Sequence, residues 1–189
     1  MKNLKSLSLI VCILFAFQAG MAQTNKIDIT KSIINWEGEK ITGEHVGTIN
    51  FKDGYLIFKD RKISGGSFTA DMKTLSNTDQ TGSSKQKLEG HLKSEDFFNT
   101  ANFTTATLLF KNVASEGNNK YLVNADLTIK GITNPVQFHL AVVDKNKATA
   151  SVKVNRTKYD IKYGSGSYFD DLGDKTIYDE FEFNVVLVF

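Results

Sequence analysis

Lys120-Tyr121-Leu122-Val123-Asn124-Ala125-Asp126-Leu127-Thr128-Ile129-Lys130 is the stretch that decides the fold. Tyr121, Val123, Ala125, Leu127 and Ile129 hold one parity, and Leu122, Asn124, Asp126, Thr128 and Lys130 the other. A period of two belongs to a strand with one apolar face and one wet face. The same pattern continues through Val136, Phe138, Leu140 and Val142, then Ala148, Ala150, Val152 and Val154, then Phe181, Phe183, Val185, Leu187 and Phe189. Half-buried antiparallel strands follow from it. Turns are expected at Gly117-Asn118-Asn119, from Gly131 to Pro135, and from Asp144 to Lys147. Pro135 is the only proline, and it is expected at a strand start, where a missing N–H is tolerated.

The N-terminal half is less regular. Ile27 and Ile29 open it, followed by Ile34 and Trp36, then Gly47, Ile49 and Phe51. Asp53-Gly54 between Phe51 and Tyr55 has the form of a two-residue hairpin turn, with Tyr55 to Phe58 as the returning strand. Phe68, Ala70 and Met72 form a further strand after Gly65-Gly66, where a bulge is expected, and Phe103 to Phe110 another. Lys87 to Phe98 breaks the pattern. Leu88 and Leu92 are four apart and share a helix face, and Ser83 with Gln86 fits a capping box. The expected fold class is all-β: an extended antiparallel barrel of eight strands, or nine, with one short helix between strand blocks. Strands of about 10 residues, and a last one running to Phe189, favour a barrel over a sandwich. The polar parity carries Asp126, Lys130, Lys153 and Glu182, the reverse of a membrane barrel's lipid-facing band.

Residues 1–22 read as a cleaved signal peptide. Lys2 and Lys5 precede the apolar run Leu7–Phe17, which is too short to span a bilayer, and Gly20-Met21-Ala22 supplies small residues for cleavage. Residues 23–189 are then a single domain, expected in the periplasm, with an extracellular destination also open. Removal of Lys2 and Lys5 leaves 21 basic residues against 21 acidic ones, and no basic stripe for nucleic acid survives. The only cysteine, Cys12, leaves with the signal, which excludes a disulfide scaffold, a thiol nucleophile and a Cys-ligated metal.

The expected inward set includes Trp36, Phe51, Phe68, Met72, Phe110, Leu127, Ile129, Phe138, Leu140, Phe181 and Phe183, with Leu88, Leu92, Phe97 and Phe98 at one mouth. A barrel of this size either fills with its own side chains or holds one ligand. Both readings stand on the residues alone.

His91-Leu92-Lys93-Ser94-Glu95-Asp96-Phe97-Phe98, Ala106-Thr107 with Phe110, Asp126-Leu127-Thr128-Ile129-Lys130-Gly131-Ile132-Thr133 with Pro135-Val136, and Arg156-Thr157 resemble the YceI-like family in order and spacing across nearly all of residues 23–189. Gly164 to Phe169 and Leu172 to Ile177 resemble the branch common in Bacteroidetes-type bacteria. The resemblance implies a lipocalin-like barrel, usually exported to the periplasm, that holds a long polyisoprenoid or similar amphiphile and carries no catalytic set. It also implies a homodimer. Two positions depart from the family pattern. Asn155 replaces an acid that would partner Arg156, and Thr104 replaces a proline at the exit from the helix.

Among polar residues, His91, Asp96 and Arg156 are expected at the mouth. His45, His91 and His139 form no metal-ligand spacing, so neither a metal nor a cofactor is signalled. The acidic residues Asp170, Asp171, Asp174 and Asp179 do not fit an EF-hand and read as a solvated loop. Tyr159, Tyr163, Tyr168, Phe169 and Tyr178 around them either fold over a ligand, with Phe169 in its lining, or pack the barrel base. Gly164-Ser165-Gly166-Ser167 lacks the Lys-Ser/Thr ending of a phosphate loop, and Ser165 lacks the Gly-x-Ser-x-Gly elbow. Three functional readings remain: a lipid carrier or reservoir, a filled barrel used for interaction or stress protection, and an acid/base enzyme using His91 with Asp96.

Overall fold

In the C-terminal half the alternating runs form strands with the expected parity inward. A computed structural model describes residues 22–189. The signal-peptide reading therefore lies outside the described residues, except at Ala22. The elements are β1 (Gln23–Lys26), β2 (Ile33–Lys40), β3 (Gly43–Lys59), β4 (Lys62–Asn77), α1 (Gly82–Lys93), β5 (Thr105–Gly117), β6 (Lys120–Ile129), β7 (Ile132–Asp144), β8 (Lys147–Asn155) and β9 (Ile177–Val188).

All strand pairs are antiparallel. The order β3-β2-β9-β8-β7-β6-β5-β4 closes on itself through the β3–β4 pairing, giving an eight-stranded barrel. The ninth strand, β1, pairs with the far half of β3, from Gln23 opposite Phe58 to Lys26 opposite Tyr55. β3 has 17 residues and β2 only 8, so β1 covers an edge of β3 that β2 does not reach. Tyr121, Val123, Ala125, Ile129, Phe138, Leu140, Val152 and Val154 are buried, as their parity requires. Lys111 with Asp126 and Lys153 with Glu182 pair on the outer wall, a charged surface unlike the apolar belt of a membrane barrel. Among the described residues no helix is long and apolar enough to cross a membrane.

Four local expectations need correction. Asp53-Gly54 is not a turn. β3 runs straight through it, with Asp53 opposite Thr69 and Gly54 opposite Phe68. The glycine is there for space: a Cβ at Gly54 would lie 2.6 Å from the Phe68 ring and 3.0 Å from Ile27. The β3–β4 turn is Asp60-Arg61, both at positive φ (52° and 64°), the type I′ geometry that matches strand twist. Likewise the β6–β7 turn is Lys130-Gly131 alone, and Pro135 sits inside β7 opposite Asp126. It is tolerated because β8 pairs with β7 only from His139 onward, so Pro135 lies on an unpaired margin. The capping box does not form; α1 starts at Gly82 after Thr81, with no side-chain cap. Ile29 lies outside any strand and is exposed. The expected bulge is present, with Ser64 the extra residue between the Ile57–Gly65 and Phe58–Ile63 pairs.

Gly47 admits Trp36. A Cβ there would stand 2.0 Å from the Ser76 carbonyl oxygen and 2.5 Å from the indole. Trp36 Nε1 donates to that same carbonyl at 3.2 Å. Gly47→Ala should lower unfolding stability by about 3 kcal/mol, the upper end of the usual overpacking cost, because the clash is partly with backbone. Urea denaturation followed by Trp36 fluorescence checks this, and an unchanged midpoint would contradict the packing.

Candidate functional site

The interior holds two adjoining cavities. The larger, about 110 Å³, lies inside the barrel. Phe51, Phe68, Met72, Phe98, Phe110, Leu127, Ile129, Phe138, Leu140 and Phe183 line it, all from the expected set. Ile34, Ile49, Ala70, Ala106, Leu108, Ala150, Val152, Val185 and Leu187 complete most of the wall. Their parity was legible, but their part in a cavity was not. Ala70, Ala106 and Ala150 matter most, since small side chains facing inward are what leave the space open.

The smaller cavity, about 80 Å³, lies beneath α1. Trp36, Leu88, His91, Leu92, Phe97, Phe98, Phe181 and Phe183 line it, together with His45 and Ile177. Ile49, Phe98 and Phe183 face both spaces, so the two meet at these side chains. The wall is apolar nearly throughout, which suits a hydrocarbon chain better than a polar substrate.

α1 acts as the cover. β4 pairs with β5 only from Ser67 to Asp71, and the free stretch beyond is where the helix attaches. Glu89 Oε1 accepts the Asn77 N–H at 2.8 Å and the Ser76 hydroxyl at 2.9 Å. Burial works against ionisation of Glu89. The Asn77 and Ser76 hydrogen bonds outweigh it, aided by Lys93 and Lys85, and hold the carboxyl below its ordinary range. Leu92 is buried and Leu88 packs on the core. Past the helix the chain folds back, with Phe98 N–H bonded to the Leu92 carbonyl at 3.1 Å. This brings Phe97 onto Phe181 (ring centroids 6.1 Å, nearly parallel) and against His91 at 5.1 Å. Tyr163 also packs edge-on against His91 at 4.4 Å and lies 6.3 Å from Phe97, so the three rings form a triangle.

Arg156 is not a mouth residue. It is 1% exposed and lines neither cavity. Its guanidinium donates to the carbonyls of Ile161, Tyr163, Ile177 and Tyr178 at 2.8–3.0 Å and lies 3.6 Å from Asp179. It also sits 5.8 Å from the Phe97 ring. Four carbonyl acceptors arrayed around one side chain need a planar fork, which is why an arginine stands here. Burial lowers its pKa and Asp179 raises it, burial prevailing. Asp179 is itself opposed by burial, yet the Ser165 and Ser167 hydroxyls and Arg156 hold it below the usual range. Asp179 therefore takes the place of the acid missing at position 155, while Asn155 Oδ1 accepts the Thr157 N–H at 2.9 Å instead.

Asp96 is exposed and lines neither cavity, because the turn after α1 points it outward. Phe169 is 51% exposed and also lines neither, as do the exposed Tyr168 and Tyr178. Tyr159 alone of that aromatic group is buried, its phenol pushed up to about 12 by burial. Among the described residues, Glu37, Glu39 and Glu44 bring carboxylates within 4.8 Å of one another. Burial, then Glu44, Glu182 and Glu39, raise the Glu37 pKa.

These features are those of a lidded β-barrel with an apolar interior, and comparison with known proteins gives the family. The YceI-like domain matches residues 26–189. The chain belongs to the YceI-like family. A UPF0312 protein of Shewanella denitrificans is 35% identical over 102 residues, 54% of this chain and 51% of that protein. One from Vibrio parahaemolyticus is 27% identical over 150 residues, 68% of this chain and 79% of that protein. The match to the Shewanella relative thus spans about half of that protein's length. Among solved structures, Burkholderia cenocepacia BcnA superposes with a TM-score of 0.70 at 20% identity, covering 86% of this chain and 99% of that one. A polyisoprenoid binding domain from Saccharophagus degradans gives 0.56 at 16% identity, covering 86% and 95%. At these identities the structures establish the fold.

Glu89→Ala should loosen the cover without unfolding the wall. Amide exchange in α1 should quicken relative to β6 and β7. Because the folded-state pKa of Glu89 is depressed, the latch is present at neutral pH and is lost as pH falls through that value. The wild type should then approach the Glu89→Ala pattern in acid, after correction for intrinsic exchange. An α1 indifferent to both would refute the latch.

Proposed function

We propose that the protein is an exported carrier or reservoir that holds a long-chain apolar or amphiphilic ligand, a polyisoprenoid or similar lipid, inside the barrel. The carrying observation is the pair of adjoining apolar cavities running from beneath α1 into the barrel. Burial of each CH₂ contributes about 0.8 kcal/mol, so a long chain is held without any specific polar contact. The structural neighbour named as a polyisoprenoid binding domain supports the choice of ligand class.

Export to the periplasm is part of this reading. It rests on the signal-like residues 1–22. β1 begins at Gln23, the residue that cleavage after Ala22 leaves first. The ligand-contacting set is the cavity wall, with Phe97 and Phe98 under the cover. On this reading the protein acts without catalysing a reaction: the His91 ring packs edge-on against Phe97 and Tyr163, and Asp96 is exposed to solvent.

Protein recovered from the periplasm should release a lipid on solvent extraction, with a matching mass loss in native mass spectrometry. A barrel that is always empty and takes up no prenyl lipid would overturn the reading. Ala150→Phe fills the larger cavity at a cost within about 1–3 kcal/mol. It should cut uptake at least 10-fold, by about 1.4 kcal/mol, while the protein stays folded.

A further inference from the structure

One residue in the wall of the smaller cavity carries a buried polar atom with nothing to bond. His91 Nε2 is buried and has no hydrogen-bond partner among the described residues. Such atoms are rare in folded proteins because leaving them unpaired is costly, so each requires an explanation. Two other polar groups of this wall are already engaged. Trp36 Nε1 donates to the Ser76 carbonyl. His45 Nδ1 is bonded to Asp79 at 2.8 Å.

We infer that His91 Nε2 is the hydrogen-bonding contact for the ligand's polar head, and that this head is uncharged, such as a hydroxyl or carbonyl. The inference rests on the carrier reading above and deepens it. The position fits: the space beneath α1 meets the barrel cavity at Ile49, Phe98 and Phe183, so a head at His91 leaves the tail pointing down the barrel. The charge fits as well. Lys40 is a single cation in the cavity wall, and Glu39 beside it, with Glu37 and Glu44 close to Glu39, sets three carboxylates against it. Arg156, the buried cation nearby, has its donors committed to main-chain carbonyls. One lysine set against three carboxylates makes no cationic cradle for a phosphate or diphosphate, whose desolvation would go largely uncompensated. An imidazole nitrogen and an uncharged oxygen satisfy one another through a single hydrogen bond at no such cost.

The test uses three probes sharing one carbon skeleton: phytol, phytane and phytyl phosphate. Trp36, the single tryptophan, lines the same cavity and reports occupancy by fluorescence, with native mass spectrometry as a check. Wild type should bind phytol more tightly than either of the others. His91→Leu should weaken phytol about 3- to 10-fold, leave phytane unchanged, and leave the melting temperature no lower, since an unpaired polar atom is removed. His91→Gln should restore most of the phytol affinity. Equal losses for phytol and phytane in His91→Leu would reduce His91 to packing and overturn the inference. So would a wild-type preference for the phosphate. If wild type takes up none of the three, the carrier reading itself falls, and this inference with it.

Discussion

The structure depends on closure of the backbone ladder between β2 and β9. Asn35 and Asn184 are 149 residues apart, yet they face each other across this seam and the Asn35 amide bonds the Asn184 carbonyl. With the seam made, every barrel strand has a partner on both sides, and the stretches left unpaired are parts of strands, as in β4 beneath α1 and the first half of β7. Closure also fixes parity. A slip of one residue in any pair would turn Trp36, Phe138 or Phe183 outward and bring Asp126 or Glu182 in. The apolar chamber is the direct product of that agreement around the ring.

The ends of the barrel are built by different means. At the far end the wall is greasy: Phe58 and Phe189 pack with ring centroids 5.5 Å apart, and β1 shields β3. At the covered end, polar interactions do the holding. Glu89 ties α1 to β4, and Arg156 gathers the carbonyls of the segment between β8 and β9. Apolar packing alone is non-directional. Charge-assisted hydrogen bonds set these segments at defined positions over the apolar floor and can be released one at a time.

The barrel was readable because period-two patterning acts locally and survives in the chain, as in Tyr121 to Ile129 and Phe181 to Phe189. The helix between strand blocks was readable from Leu88 and Leu92. Misreadings arose where one residue type serves two purposes. Gly54 resembles a turn glycine, but it is required by the approach of Phe68 and Ile27, and that approach is long-range. Arg156 and Asp96 look alike as isolated charges. Only the folded loop shows that one is enclosed by four carbonyls and the other left in water. The cavity itself depends on Ala70, Ala106 and Ala150 converging from three strands, and no local signal announces a void.

The β2–β9 seam also governs how the fold is reached. Hairpins from β5 to β8 join neighbours in sequence and can assemble early, whereas β2 must wait for a strand near the opposite end of the chain. Bringing such distant segments together carries a large loop-closure entropy, and topologies of this kind fold in milliseconds to seconds. Until the seam forms, β2 and β9 are unpaired edges bearing Trp36, Phe181 and Phe183. The interval before closure is therefore when the chain is most exposed to self-association. A chain that completes synthesis slowly, or crosses a membrane before folding, lengthens that interval and raises its dependence on chaperones.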